Sequence, residues 1–288
     1  MKKLISFFLV LCCTNISCTM TTFAEIPVQK QQKTVMVTQI TREESFHNIQ
    51  IIWSRGQVTI SQSPDEKTYI TEKAFVMPKE TEKAGITIKN DTLFVKDYHS
   101  LSPLSLESST NIKEFEKLLQ EYRNTEYDLE IALPERQYQE FYFKTVNANC
   151  DLENNHFQNV TTETVNGNTT LNNITAESIN SNTVNGNITL SSGTIAEQYS
   201  LNGINGNMDA IFTIFPTTLS VHNTNGNIVL TLPENDGFVI DKTKLKTYKD
   251  FSTSFYLKDN NYKKIYKNGK IEFDIVCTNG SVTLKRLD

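Results

Sequence analysis

From Thr145 onward one short unit recurs: TVNANCDL, TVNGNTTL, TVNGNITL, GINGNMDA, NTNGNIVL and, near the end, CTNGSVTL. The first aligned asparagines are Asn147, Asn166, Asn185, Asn205, Asn225 and Asn279, separated by 19, 19, 20, 20 and 54 residues. A near-constant step of about 20 residues marks small units stacked on one another, because one such unit cannot bury its own apolar face. The last, long step must hold an insertion or an extra, divergent turn.

Each unit is physically legible. Asparagine followed by Gly167, Gly186, Gly206, Gly226 or Gly280 supplies a tight turn, since glycine tolerates positive φ and asparagine nearly does. A short strand with period-two alternation follows: Ile188 and Leu190 share one face and Thr189 takes the other. The same inward pair recurs as Cys150/Leu152, Thr169/Leu171, Met208/Ala210, Ile228/Leu230 and Val282/Leu284. A second strand per unit is expected from stretches such as AESINSNTV at 176–184. Stacked asparagines could pair amide to amide, each bond contributing roughly 0.5–1.5 kcal/mol. The expected fold is therefore all-β, a parallel β-solenoid or β-helix-like stack of units about 20 residues long. The alternative is an antiparallel hairpin meander, since Asn-Gly between apolar runs is also a strong hairpin signal.

The first half is degenerate. IQIIWSRGQVTISQ at 49–62 repeats the plan, and Tyr69 to Ala74, Gly85 to Ile88 and Leu93 to Val95 read as further strands, with a turn at Asn90-Asp91. Asn111 and Glu114 form a capping pair, and Ile112, Phe115, Leu118, Leu119 and Tyr122 then share one helical face, so one short helix is expected there.

Residues 1–24 read as an export signal: Lys2 and Lys3 lead, and Leu4 to Cys13 is an apolar run too short to span a bilayer. Thr22-Phe23-Ala24 offers one processing site; Ile16-Ser17-Cys18, an imperfect lipobox, offers a competing one that leaves a lipid on Cys18. Residues 25–44 read as a linker and 45–288 as the domain, divided into the degenerate half 45–144, regular repeats 145–232, an insertion at 241–270 and a terminal unit at 271–288. Without Lys2 and Lys3 the chain holds 26 basic and 33 acidic residues, a formal charge of −7, which argues against nucleic acid as a partner. Membrane contact is expected only through the lipid on Cys18. Cys150 and Cys277 are the only cysteines beyond the signal, and as they lie at least five rungs apart, about 24 Å at the spacing of paired strands, two free thiols are expected.

IIWSRGQVTIS near the start, LEIALPE at 129–135, the TVNGN repeats, and NIVLTLPENDGF with the terminal IEFDIVCTNGSVTL together resemble the bacterial "putative adhesin" family of unknown function (DUF4097-like). The resemblance implies a right-handed β-solenoid-like domain at the cell envelope, with a role in adhesion or in envelope-stress sensing. It brings no catalytic residues and no cofactor. The expected helix and the insertion depart from the family pattern.

No residue pattern points to catalysis. His47, His99, His156 and His222 fall in no metal-ligand spacing, and there is no GxSxG, P-loop or GxGxxG. No metal or cofactor is expected. Glu163, Glu177 and Glu197 could line one edge if stacked, the sole pointer to a glycan-active β-helix enzyme. The insertion is the candidate ligand-contact loop, with Tyr248, Phe251, Tyr256 and Tyr262 among lysines such as Lys263 and Lys264, a mixture suited to glycans, anionic polymers or headgroups. The polar outer face of the repeats is the second candidate. The expectation is a non-enzymatic exported binding protein with an unidentified surface ligand: host matrix, glycan or a component of the producer's own envelope.

Overall fold

The computed structural model describes residues 35–74, 83–97, 127–191, 193–245 and 251–287. The signal with Cys18, the expected helix at 112–123 and Tyr248 lie outside the described residues. Those described are all-β apart from a single 3-10 turn at Lys242–Lys244, and their strands join in one large mixed sheet.

The repeats pair in parallel. Residues 150–164 of the strand Gln137–Thr164 pair with 169–183 of Thr169–Asn185, which pairs in turn with Ile195–Asn205. That strand pairs with Thr218–Asn225, and Thr218–Asn225 with 274–279 of Ile271–Asn279. Beyond each Asn-Gly, the short strands Ile188–Leu190, Met208–Ile211, Ile228–Leu232 and Val282–Arg286 form a second parallel ladder in the same order. The antiparallel meander therefore does not describe the repeats. Strands flanking an Asn-Gly do not pair with each other; each pairs with its equivalent one unit away. The Asn-Gly that joins the two strands of each repeat is thus a corner between two parallel ladders, and each repeat contributes one rung to both.

Burial explains why this arrangement wins. Every residue of the two inward columns, from Cys150/Leu152 to Val282/Leu284, is buried. Ahead of the corner two more columns run through the core: Phe141, Val160, Ile179, Tyr199, Leu219 and Phe273, and beside them Phe143, Thr162, Ser181, Leu201, Val221 and Ile275. Thr162 and Ser181 are fully buried and hydrogen-bond each other at 2.7 Å, so neither hydroxyl is left without a partner in the core. A hairpin reversal at each corner would break this like-over-like register.

The order of rungs is not the order of the chain. Ile271–Asn279 and Val282–Arg286 form the rung after 218–232, although residues 233–270 intervene. On their other flank lie Phe238–Asp241, Leu245 and Phe251–Thr253, again in parallel. The 54-residue step thus holds a divergent rung, described at 238–245 and 251–253, that lies on the outer flank of the stack, with a small hairpin of Lys258–Asp259 and Lys263–Ile265 beside it.

At the other end Asn48–Gln62 pairs in parallel with 140–152, and on its far flank with Thr92–Lys96 and Tyr127–Leu133. From there the pattern turns antiparallel: Gly85–Lys89 on Thr92–Lys96, Thr68–Ala74 on Tyr127–Leu133, and Val35–Arg42 on Thr68–Ala74. The stretch 25–44, expected as a linker, contains the strand Val35–Arg42. Asn90 and Asp91 both have positive φ and form the expected tight turn. Trp53 anchors this end, its Nε1 donating to the Tyr127 carbonyl at 2.8 Å. Cys150 and Cys277 are free and buried as expected, and burial pushes the Cys150 thiol upward. Cys277 lies in register with Asn223, outside the two apolar columns that follow the corner.

The glycines are required chiefly by closeness. A Cβ on Gly186 would sit 2.0 Å from the Gly167 carbonyl oxygen, and one on Gly206 only 1.9 Å from that of Gly186. Gly206 also has a φ of 144°, whereas Gly167 and Gly186 have no φ in the left-handed region. For those two, the absent side chain is what the corner needs. Gly206→Ala is expected to lower the unfolding free energy by about 2–4 kcal/mol through this overlap. The exposed Thr189→Ala should change it by less than about 0.5 kcal/mol. Urea titration of both variants checks the pair; equal midpoints would mean the corners tolerate a Cβ.

Candidate functional site

The first asparagine of each corner stacks on the next. Asn166 Nδ2 donates to Asn147 Oδ1 at 2.8 Å, Asn185 to Asn166 at 2.7 Å, and Asn205 to Asn185 at 2.7 Å. Asn225 donates to Asn205 at 2.7 Å and Asn279 to Asn225 at 2.8 Å, so the ladder spans all six repeats. The second asparagine works differently. Oδ1 of Asn149, Asn168, Asn187 and Asn207 accepts from the backbone N–H of Asn168, Asn187, Asn207 and Asn227, and Asn227 Oδ1 accepts from that of Ser281. One asparagine ties side chains together; the other ties side chain to backbone. The residues Asn147, Asn166, Gly167, Asn185, Gly186, Asn205, Gly206, Asn225, Gly226, Asn279 and Gly280 are thus brought into one column of corners. Their amides are occupied holding it.

Ahead of the corners, the outward side chains make a flat polar face. Thr161, Asn180, Ser200, Ser220 and Asp274 stand in register in one column, and Glu163, Asn182, Asn202 and His222 in the next. Neighbours are linked: Asn182 to Asn180 at 3.0 Å, Asn202 to Asn182 at 2.9 Å, and His222 Nε2 to Asp274 Oδ2 at 2.8 Å. Lys244 Nζ donates to the other Asp274 oxygen at 2.7 Å. Lys244 foremost, and then His222, holds the Asp274 carboxyl below the usual range. Ser220, His222 and Asp274 do not form a nucleophilic triad, because Ser220 Oγ and Asp274 Oδ2 both approach the same nitrogen, Nε2. Aligning Asn279 with Asn225 and counting back five residues already pairs Asp274 with Ser220; that signal was in the sequence. Glu163 faces Asn182, so it does not continue a column with Glu177 and Glu197. Among the described residues no group of three or more His, Cys, Asp and Glu side chains could hold a metal ion.

The candidate contact loop divides into two populations. Phe255 and Tyr266 are buried and pack with Phe238 and Phe273 in an aromatic cluster. Phe251 is half-buried against the core. Tyr256 and Tyr262 point outward, 88% and 68% exposed. The lysines are far less available than their number implies. Lys263 pairs with Glu272, Lys264 with Asp259, Lys242 with Asp259, Lys267 with Glu234 and Lys270 with Asp236. Lys264 also lies 5.1 Å from the centroid of the Phe251 ring, and its side chain is only 13% exposed. Lys263 and Lys264 thus help to fix the closing rung, which the sequence could not show because their acidic partners lie on other strands. A shallow cleft of about 270 Å³ adjoins this cluster, lined by Phe215, Asp236 and Lys270 among others.

Glu234 gathers Lys267, Tyr266 and Arg286, and Lys267 above all pulls its pKa down to about 2. A depressed carboxylate pKa gives stability that is fully present above the unfolded value of about 4.3 and is lost as pH falls towards the folded value. The closing rung is therefore expected to loosen between about pH 4 and pH 2. Urea midpoints measured from pH 5 to pH 2 should fall for the unaltered chain, and fall less for Glu234→Gln. Identical profiles would show that Glu234 does not couple the rung to pH.

Compared with known proteins, the chain matches the Toastrack DUF4097 family over residues 23–237. The match ends where the closing rung begins. No curated protein matches the chain significantly. Among solved structures, the "putative adhesin" of Bacteroides fragilis is 14% identical, with a TM-score of 0.41 over 89% of this chain and 98% of that one. A cell adhesion protein of Clostridium sporogenes, itself named only provisionally, is 12% identical, with a TM-score of 0.34 over 87% and 99%. A Parabacteroides distasonis protein named, equally provisionally, for lipid binding is 9% identical, with a TM-score of 0.38 over 87% and 96%. The family match spans most of the sequence, from within the expected signal to the last regular rung, and on that ground the chain belongs to the Toastrack DUF4097 family.

Proposed function

We propose that this is an exported, non-enzymatic binding protein of the cell envelope. Its rungs wind as a β-solenoid whose closing rung presents the ligand contact. The winding is right-handed, as parallel crossovers overwhelmingly are. The N-terminal segment directs export, by processing after Ala24 or by the competing route at Cys18, where a lipid would tether the chain to the envelope. The observation that carries the reading is the pair Tyr256 and Tyr262: among the described residues the most exposed large apolar side chains, one just before a hairpin and one in its turn, on a rung otherwise fastened down by ion pairs. Exposed tyrosines offer large, stiff contact surfaces with a polar tip. Because the neighbouring lysines are neutralised by carboxylates, the site suits a neutral polar ligand such as a glycan better than an anionic polymer. The flat polar face supports the same reading as a second, weaker contact that gains by repetition.

The test is solid-phase binding of residues 25–288 to host matrix proteins and mucin on one side, and the producer's cell wall and membranes on the other. Tyr256→Ala/Tyr262→Ala is expected to reduce binding at least tenfold, about 1.4 kcal/mol, as two aromatic anchors do elsewhere. Urea unfolding of the same variant should be unchanged. Unaltered binding would remove the tyrosines from the site. Retention only on the producer's envelope would favour a sensing role over adhesion.

A further inference from the structure

The chain contains seven Asn-Gly pairs, at Asn166, Asn185, Asn202, Asn205, Asn225, Asn268 and Asn279. In such a pair the unhindered glycine nitrogen can attack the asparagine side-chain Cγ. The bond formed is Gly N–Cγ; the bond broken is Cγ–Nδ2, and Nδ2 leaves as ammonia with the glycine proton. The resulting succinimide is opened by water to aspartate or isoaspartate. The only co-reactant is water. An N–H held in a hydrogen bond is a poorer nucleophile, because the bond must first be broken.

The corners differ in this respect. Gly186 N–H donates to the Asn205 carbonyl at 2.9 Å, Gly206 to Asn225 at 3.0 Å, and Gly226 to Asn279 at 2.9 Å. Gly269 N–H donates to the Tyr266 carbonyl at 3.0 Å. Gly203 lies inside the strand Ile195–Asn205, in register with parallel partners on both flanks. Gly167 breaks the series: its N–H does not make the corresponding bond to the Asn185 carbonyl. Its neighbour Asn166 is exposed, so water reaches the succinimide.

We propose that Asn166 is a built-in deamidation site, and that the inter-rung bonds shield Asn185, Asn205 and Asn225 from the same reaction. The consequence is local and directional. Asn166 donates to Asn147 Oδ1 and accepts from Asn185 Nδ2. A carboxylate at 166 keeps the second contact, loses the first, and places two acceptors face to face. Isoaspartate goes further, adding a methylene to the main chain at a corner where the next rung is in direct contact. The ladder is then cut between its first and second members.

The experiment is incubation of the unaltered protein at mildly alkaline pH, folded and in denaturing urea, followed by peptide mapping. Mass identifies amide-to-acid conversion, and electron-transfer fragmentation separates aspartate from isoaspartate. In the folded protein Asn166 is expected to convert about fivefold faster than Asn185, Asn205 or Asn225, the factor for one ordinary hydrogen bond. In urea the four rates should converge. Equal rates in the folded state, or an Asn166 that stays intact while the unfolded chain converts, would overturn the proposal. Ligand binding has no part in this readout, so it stands or falls separately from the proposed function.

Discussion

The structure depends on how closely one corner can approach the next. Carbonyl oxygens of one rung lie where the next rung's Cβ would be, at about 2 Å from its ideal position. Only glycine allows this, and only this approach lets the corner's N–H groups reach the neighbouring rung. The two asparagines then occupy the space beside the glycine, one bonding to its own kind and the other to backbone. Glycine sets the distance and asparagine satisfies the polar groups that the distance exposes. Neither can be exchanged without disturbing the other, since a rung pushed outward loses both ladders at once.

That coupling explains which parts of the fold were legible. The repeat showed the rungs, the inward pairs and the asparagine ladder, because each is a local pattern recurring at fixed spacing. The same spacing decided parallel against antiparallel pairing, since only parallel stacking sets Ile188 over Thr169 and under Met208. The reason for glycine was legible only in part. Positive φ is a property of one residue and can be guessed; a carbonyl from a residue 19 positions earlier cannot. The glutamates mark the limit of the same pattern: Glu163, Glu177 and Glu197 are 14 and 20 residues apart, and the shorter step puts Glu163 opposite Asn182, in a different column from Glu177.

The candidate contact site was legible in position and misleading in charge. Counting lysines in 241–270 gives a basic surface, but Glu234 and Asp236 from the connection after Ile228–Leu232, and Glu272 and Asp274 from Ile271–Asn279, pair with those lysines. Sequence distance hid the pairing. The aromatics show the same split: Phe255 and Tyr266 have positions in the core, whereas Tyr256 and Tyr262 have none. All four lie in the irregular stretches between or just beyond the short strands Phe251–Thr253, Lys258–Asp259 and Lys263–Ile265, where no periodicity in the sequence marks which side is inward.

The skipped rung gives that closure its purpose. A parallel stack ends in a row of unpaired N–H and C=O groups, an invitation to pair with another chain. Had residues 233–250 simply continued as the next regular rung, the last edge would have been another flat Asn-Gly repeat, capable of templating a copy of itself. Instead the chain goes one rung further, lays down an irregular strand set rich in ion pairs and aromatics, and returns to fill the gap with Ile271–Arg286. The regular repeat is thereby enclosed on both flanks. At the other end the same outcome is reached by turning antiparallel, with Thr68–Ala74 and Gly85–Lys89 breaking the register that the repeats would extend. Both ends of the regular repeat are thus covered by strands that do not continue its Asn-Gly pattern, so its close-fitting corners meet only their own kind within the stack.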